Sequence, residues 1–149
     1  MILIGRLLSP FVRRTLVSLN VLGFECQRKA LSTATDVQAI GELNPLRRVP
    51  ALVLDDGEVL IDSIAILDYL DELVGPKRAL LPATGPERRN ALKLLSLAVG
   101  AAEKTVVAHY EKSRRPEDKF WDQWFDAATG QALAGLGALE AAAPEDGGW

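Results

Sequence analysis

Sulfur is scarce in this chain: its 149 residues include one cysteine, Cys26, and one methionine, Met1. A single cysteine excludes an internal disulfide. Histidine is as scarce, with His109 alone. No carboxylate cluster accompanies it, so the ligand pattern of a metal site is missing and no metal is expected. Neither sign of charge prevails, with 17 basic residues against 20 acidic and a net charge of −3. The basic residues are dispersed, and Arg47-Arg48 and Arg88-Arg89 are only short pairs, so no nucleic-acid partner is expected. No run approaches the roughly 20 apolar residues of a membrane span, and no membrane partner is expected either. Met1 to Gly23 has the length of a signal peptide, but Arg6, Arg13 and Arg14 interrupt its apolar core, and the expected location is cytoplasmic. There is no internal repeat.

What the chain does have is Ser9-Pro10-Phe11-Val12-Arg13-Arg14, placed after the apolar run Met1-Ile2-Leu3-Ile4 and before a helical pattern. A strand that delivers a hydroxyl to the first turn of a helix sets it among unpaired backbone N–H groups, which favour an anion together with the helix dipole. Pro10 suits that first turn, because its missing N–H would be unpaired there in any case. Val12, Leu16, Leu19 and Val21-Leu22 then recur at roughly helical spacing and predict a buried face. On these residues alone, Ser9 is either a plain helix cap or part of a pocket for a small anion.

The alternating segment Phe24 to Ala30, which contains Cys26, predicts a half-buried strand, and Thr35 to Leu43 a short helix. Asn44-Pro45-Leu46-Arg47-Arg48-Val49-Pro50 leads into Ala51-Leu52-Val53-Leu54. After the turn Asp55-Asp56-Gly57-Glu58, Val59-Leu60-Ile61 returns as the other strand of a hairpin. Asp62-Ser63 caps a further helix, with Ile64, Leu67, Tyr69-Leu70 and Leu73 turned inward, and Gly75-Pro76 stops it. The order β-α-β-α-β-β-α is a thioredoxin-like α/β layout.

Pro76 to Pro86 reads as a linker, and everything beyond it as helix. Leu92, Leu95, Ser96, Val99, Ala102, Val106 and His109-Tyr110 trace one stripe, which Ser113-Arg114-Arg115-Pro116 ends. Phe120-Trp121, Trp124-Phe125, Ala128, Ala132, Leu136 and Leu139 trace a second, with the tryptophans expected where the two helices cross. Ala141 to Trp149 reads as a loop leading onward. Two helices with apolar stripes cannot enclose a core by themselves. The number of apolar positions from Leu92 to Val106 therefore predicts a homodimer interface.

Three features in this order, Ser9-Pro10-Phe11-Val12, Val49-Pro50 and Asp62-Ser63, joined by Asn44-Pro45 and Asp56-Gly57, resemble the glutathione transferase family. The resemblance assigns residues 1–82 to a thioredoxin-like glutathione-binding domain. Residues 83–149 resemble the start of an all-α C-terminal domain, its first two long helices only. Family members continue with further helices, so the second domain is expected to be incomplete, in a fragment or a shortened protein.

The resemblance implies that Pro50 follows a cis peptide bond and that Val49 pairs its backbone with the cysteinyl unit of glutathione, like an added strand. Asp62 and Ser63 match positions that bind the γ-glutamyl end, with Ser63 and the helix N-terminus at its carboxylate and Asp62 at its ammonium. Arg48, or its neighbour Arg47, is implied for the glycine carboxylate. Ser9 is implied as the catalytic residue, donating a hydrogen bond to the glutathione thiolate. A free thiol of pKa about 8.5 is only a few per cent ionised at neutral pH, and lowering it two units takes about 2.7 kcal/mol. A charge-assisted hydrogen bond of roughly 1.5–3 kcal/mol and a helix N-terminus of about 0.3–1 kcal/mol together suffice.

The implied activity is glutathione S-transferase: glutathione is the cosubstrate, its thiolate attacks a small electrophile, and the role is detoxification. Phe11, His109 and Tyr110 are candidates for the electrophile subsite. Glutaredoxins carry Cys-Pro-x-Cys, and omega-class transferases its first cysteine, where this chain has Ser9-Pro10-Phe11-Val12. Disulfide exchange through a protein thiolate is therefore not expected, and Cys26 reads as a passive small residue. Two alternatives stay open: a non-catalytic binding or regulatory module of the same fold, and a glutathione-dependent peroxidase or reductase.

Overall fold

Alternation of apolar and polar residues makes strands, and apolar positions three and four apart make helices. Both patterns fold here into the element order expected. The computed structural model describes residues 1–143, so of the loop expected at Ala141 to Trp149 the part from Pro144 onward lies outside the described residues. The chain divides into two compact units, Met1–Ala83 and Thr84–Trp149.

The first unit runs β1 (Ile2–Ile4), α1 (Pro10–Leu22), β2 (Gln27–Lys29), α2 (Val37–Leu43), β3 (Ala51–Val53), β4 (Val59–Ile61) and α3 (Ser63–Val74). The four strands form one sheet in the order β2-β1-β3-β4, a thioredoxin-like arrangement. β1 runs parallel to β2 and antiparallel to β3, with Leu3 opposite Leu52, and β3 pairs with β4 as a hairpin. Leu3, Leu52, Val12, Leu19, Leu22, Ile66 and Leu70 form the core, where α1 also packs against α3. Each such side chain contributes about 1.5–3 kcal/mol by leaving water.

Helix α1 closes on Gly23 at φ 79°, a left-handed conformation that glycine reaches without a Cβ penalty. The Phe24 N–H reaches back to the Leu19 carbonyl, and Arg78 donates to that of Leu22. A cation at the negative end of a helix is well placed.

Several faces differ from expectation. β2 is exposed throughout rather than half-buried. It is one of the two edge strands, and its Gln-Arg-Lys side chains guard an open edge against further pairing. Val21 is exposed, because nine residues on from Val12 at 100° each carries it to the opposite side of α1. Ile64 and Leu73 are likewise exposed, and Ile66 takes the inward position on α3.

The second unit comprises α4 (Gly85–Arg114), a 3-10 turn at Glu117–Lys119, and α5 (Asp122–Glu140) packed against α4. Its buried seam is made of Ala101, Ala108, Ala128 and Ala132. The larger stripe expected on α4 is half-buried or exposed. Gly135 faces Ala101 so closely that a Cβ there would lie 3.0 Å from that alanine's. Small side chains let the backbones approach, and the bulkier neighbours are left on the rim. Trp121 and Trp124 accordingly stack on each other, ring centres 6.2 Å apart, and stay exposed. The Glu111 carboxylate, 4% exposed, accepts from the Trp121 N–H at 3.1 Å and pairs with Arg115 Nε at 2.6 Å. A buried carboxylate needs such partners, and here they tie the end of α4 to the start of α5.

Candidate active site

The end of β1, the head of α1 and the turn before β3 converge on Gly5. A Cβ on Gly5 would lie 2.6 Å from Val12 Cγ2 and 2.9 Å from Val49 Cβ, and its φ of +128° disfavours any side chain. The glycine therefore lets the Val49 turn lie directly against the head of α1. Gly5 was not among the residues singled out from the sequence, and its one signal is its place between the apolar run and Arg6.

Ser9 is the N-cap of α1, its Oγ accepting from the Val12 N–H at 3.4 Å. A serine oxygen that accepts still has its own proton to donate. Capping and donation to an anion are therefore compatible at Ser9. Phe11, in the first turn of α1, is half-buried.

The Val49–Pro50 peptide is cis, as the resemblance implies, with Pro50 buried and Val49 half-buried. Among the described residues, neither the N–H nor the C=O of Val49 has a backbone partner. A strand-like backbone edge left unpaired is a template for an extended peptide.

Asn44 holds this turn in place. At 2% exposure, it donates through Nδ2 to the Arg48 carbonyl and accepts through Oδ1 from the Leu46 N–H, each at 2.9 Å. Arg47 adopts a left-handed φ of 53° within the loop. Arg47 and Arg48 are both exposed, and among the described residues no hydrogen bond or ion pair brings the Arg48 guanidinium to Val49 or to the head of α3.

At the head of α3, Asp62 caps the helix through Oδ1 and the Ile64 N–H at 2.9 Å, with a φ of 68° and ψ of 139°. A non-glycine residue held there costs on the order of 1–3 kcal/mol, and such outliers cluster at functional sites. Ser63 is 2% exposed, and its Oγ accepts from Arg14 Nη1 at 3.2 Å, joining the second turn of α1 to the first of α3. Burial pulls the Arg14 pKa down, and the nearby Asp62 carboxylate partly opposes the shift.

Arg14 was read from the sequence only as a break in an apolar run. The signal that marks it is electrostatic, since a cation near a helix N-terminus is opposed by the dipole and needs a partner elsewhere.

The remaining candidates are carried by other elements. His109 is exposed on α4 beside Tyr110, whose ring carries the Arg114 guanidinium 4.1 Å above its centre. Cys26 packs against the core of the first unit, and burial raises its pKa, which keeps the thiol protonated at neutral pH. Among the described residues, no group of three or more histidine, cysteine or carboxylate side chains is placed to hold a metal, and no helix is long and apolar enough to cross a membrane.

Residues 3–78 match the family model described as the glutathione S-transferase N-terminal domain. The chain belongs to the glutathione S-transferase family. Its fold is similar to that of a glutathione transferase family member from Pseudomonas fluorescens Pf-5 with bound glutathione. The TM-score is 0.83 and the identity 38%, over 94% of this chain and 70% of that one. Among curated relatives, it is 34% identical over 114 residues to an uncharacterized GST-like protein, YibF, of Escherichia coli strain K12, spanning 75% of this chain. It is 34% identical over 100 residues to a maleylacetoacetate isomerase of Pseudomonas aeruginosa. The chain spans about half the length of these two curated relatives, 55% and 47% respectively. The family-model match covers every residue gathered around Gly5, Ser9, Val49 and Ser63.

Proposed function

We propose that this chain binds glutathione in the first unit and stabilises its thiolate for attack on a small electrophile, as a glutathione S-transferase. The observation that carries the reading is Val49, whose backbone N–H and C=O have no backbone partner among the described residues, beside the head of α1. The glutathione bound in the Pseudomonas fluorescens relative supports it.

In this reading Val49 pairs with the cysteinyl unit across the cis Val49–Pro50 turn. Asp62 faces the γ-glutamyl ammonium, and Ser63 donates to its carboxylate. Arg48 reaches the glycine carboxylate from the loop that Asn44 holds. Ser9 is the catalytic residue and donates its proton to the thiolate while its oxygen caps the helix. We place this activity in the cytoplasm, in a homodimer with a detoxifying role. The similarity to a maleylacetoacetate isomerase favours a second reading of the same site, in which the thiolate adds to a conjugated double bond and leaves again after rotation.

Thiolate absorbance of bound glutathione tests both readings without an electrophile. Ser9→Ala is expected to leave glutathione affinity nearly unchanged while the bound thiol's pKa rises by about one to two units, equivalent to about 1.4–2.7 kcal/mol. The corresponding loss of rate at neutral pH is roughly ten- to a hundredfold, and it shrinks as pH approaches the free thiol's pKa. A thiolate titration of Ser9→Ala that overlays the parent reduces Ser9 to a helix cap. A parent chain that binds no glutathione overturns the function itself.

A further inference from the structure

We propose that the second unit carries a ligand site of its own, an open cleft at the α4–α5 corner that takes a planar aromatic carboxylate. The cleft has a volume of about 410 Å³ and lies between the last turns of α4 and the first turn of α5. That is room for a ligand of one or two rings. Glu111 shapes it from beneath: buried on α4, it holds both Arg115 and the Trp121 N–H, and so fixes the chain where one helix turns into the next. The site stands independently of the glutathione reading.

Its walls favour a ring. Two exposed aromatic side chains line the cleft, Tyr110 from α4 and Trp124 from α5. Both are already braced. The Arg114 guanidinium lies 4.1 Å from the centre of the Tyr110 ring, and Trp121, outside the cleft, stacks on Trp124. Side chains held in this way lose little freedom when a ligand arrives. Val107 and Pro116 add apolar surface. A flat aromatic body can stack against such rings or meet them edge-on, whereas a saturated one gains only the apolar contact.

The polar groups select the charge. Two guanidiniums and one carboxylate line the cleft, an excess of one positive charge. The carboxylate is engaged, since one Glu111 oxygen meets both Arg115 Nε and the Trp121 N–H. Arg115 carries five N–H donors, and one carboxylate takes at most two of them in good alignment. Its side chain is 46% exposed, so donors remain to be offered outward. Among the described residues, neither the Tyr110 hydroxyl nor the Trp124 indole N–H has a hydrogen-bond partner. The cleft therefore offers donors and positive charge to an acceptor. A planar carboxylate suits the guanidinium fork, and a cation is repelled.

The test titrates three compounds by calorimetry, without glutathione: 2-naphthoate, the neutral 2-naphthalenemethanol, and the saturated acid decahydro-2-naphthoate. The proteins are the parent, Trp124→Leu, and Glu111→Gln combined with Arg115→Gln. In that double variant no buried charge is left unpaired, and the new amide can still accept from the Trp121 N–H. The parent should prefer 2-naphthoate to the alcohol by roughly tenfold. It should prefer it to the saturated acid by roughly fivefold. Trp124→Leu should weaken 2-naphthoate by about tenfold. The double variant should bring acid and alcohol to within about twofold of each other. In nitrogen-edited NMR spectra of the parent, the indole signal that Trp124→Leu removes should shift as 2-naphthoate is added.

A parent that binds acid and alcohol equally overturns the proposal. So does an affinity that survives Trp124→Leu together with a Trp124 indole signal that stays in place, a result available even where the double variant fails to fold. A parent that does not bind 2-naphthoate at millimolar concentration overturns it outright.

Discussion

In the first unit the fully buried side chains are large, among them Leu3, Leu19, Leu52, Ile66 and Leu70, whereas the buried residues of the second, among those described, are four alanines and Glu111. Apolar burial is worth about 25 cal/mol per Å², so the first set supplies far more driving force per residue. The second relies on close backbone approach at Ala101 and Gly135 and on the Glu111 tie. The chemistry follows the same division. Ser9, Arg14, Val49, Asp62 and Ser63 all sit on elements anchored by the first core, which is what a site needs to keep its groups in register.

The largest expected effect tests that contrast directly. Ile66, fully buried on α3, should cost about 2–5 kcal/mol of stability as Ile66→Ala. Leu133, 63% exposed on α5, should stay within about 0.5 kcal/mol as Leu133→Ala. Denaturant unfolding of the two variants measures both, and similar losses would break the comparison.

A smaller effect sharpens the claim about close approach. Among the described residues nothing lies within 4 Å of where a Cβ on Gly137 would go, so Gly137→Ala should stabilise α5 by about 1 kcal/mol through helix propensity. Gly135→Ala offers the same propensity but drives its Cβ against Ala101. It should fall short of Gly137→Ala by at least about 1 kcal/mol in melting experiments. Equal gains would mean that the seam is loose.

The smallest expected effect lies outside both cores. The Asp36 carboxylate accepts from the Ser32 N–H and the Thr35 hydroxyl, which hold its pKa below the usual 3.8. A lowered folded-state pKa stabilises the fold above the unfolded value, and that contribution fades as pH falls through the folded value. The melting-temperature difference between the parent and Asp36→Asn should therefore be small at neutral pH and vanish in strong acid. A difference that persists there would trace to the amide itself.

Strands and caps in the first unit were readable because local rules and tertiary demands agree. Two short apolar runs either side of a turn placed β3 and β4, Gly57 turned the hairpin, and Asp62 capped α3. Reading failed where burial depends on neighbours. β2 carries an alternating pattern at its start but ends as a charged edge. On α4 the eye follows leucine and valine, while the packed face belongs to alanines whose hydropathy barely marks them.

The candidate site shows the same limit. The glutathione transferase pattern pointed to Ser9, Val49 and Asp62-Ser63 and included Asn44-Pro45, but Asn44's hold on the turn emerged only from the hydrogen bonds of its own loop, and Gly5 and Arg14 only from contacts between distant segments.

By itself, then, the sequence determined the element order, the helix caps and the family, because these rest on residue types and spacings along the chain. Only the tertiary structure decided which faces are buried, which glycine must remain a glycine, and that a cation on α1 accompanies a serine on α3. Arg14 and Ser63 are 49 residues apart. No local preference encodes the direction of a hydrogen bond between them; it exists because the shared core packs α1 against α3.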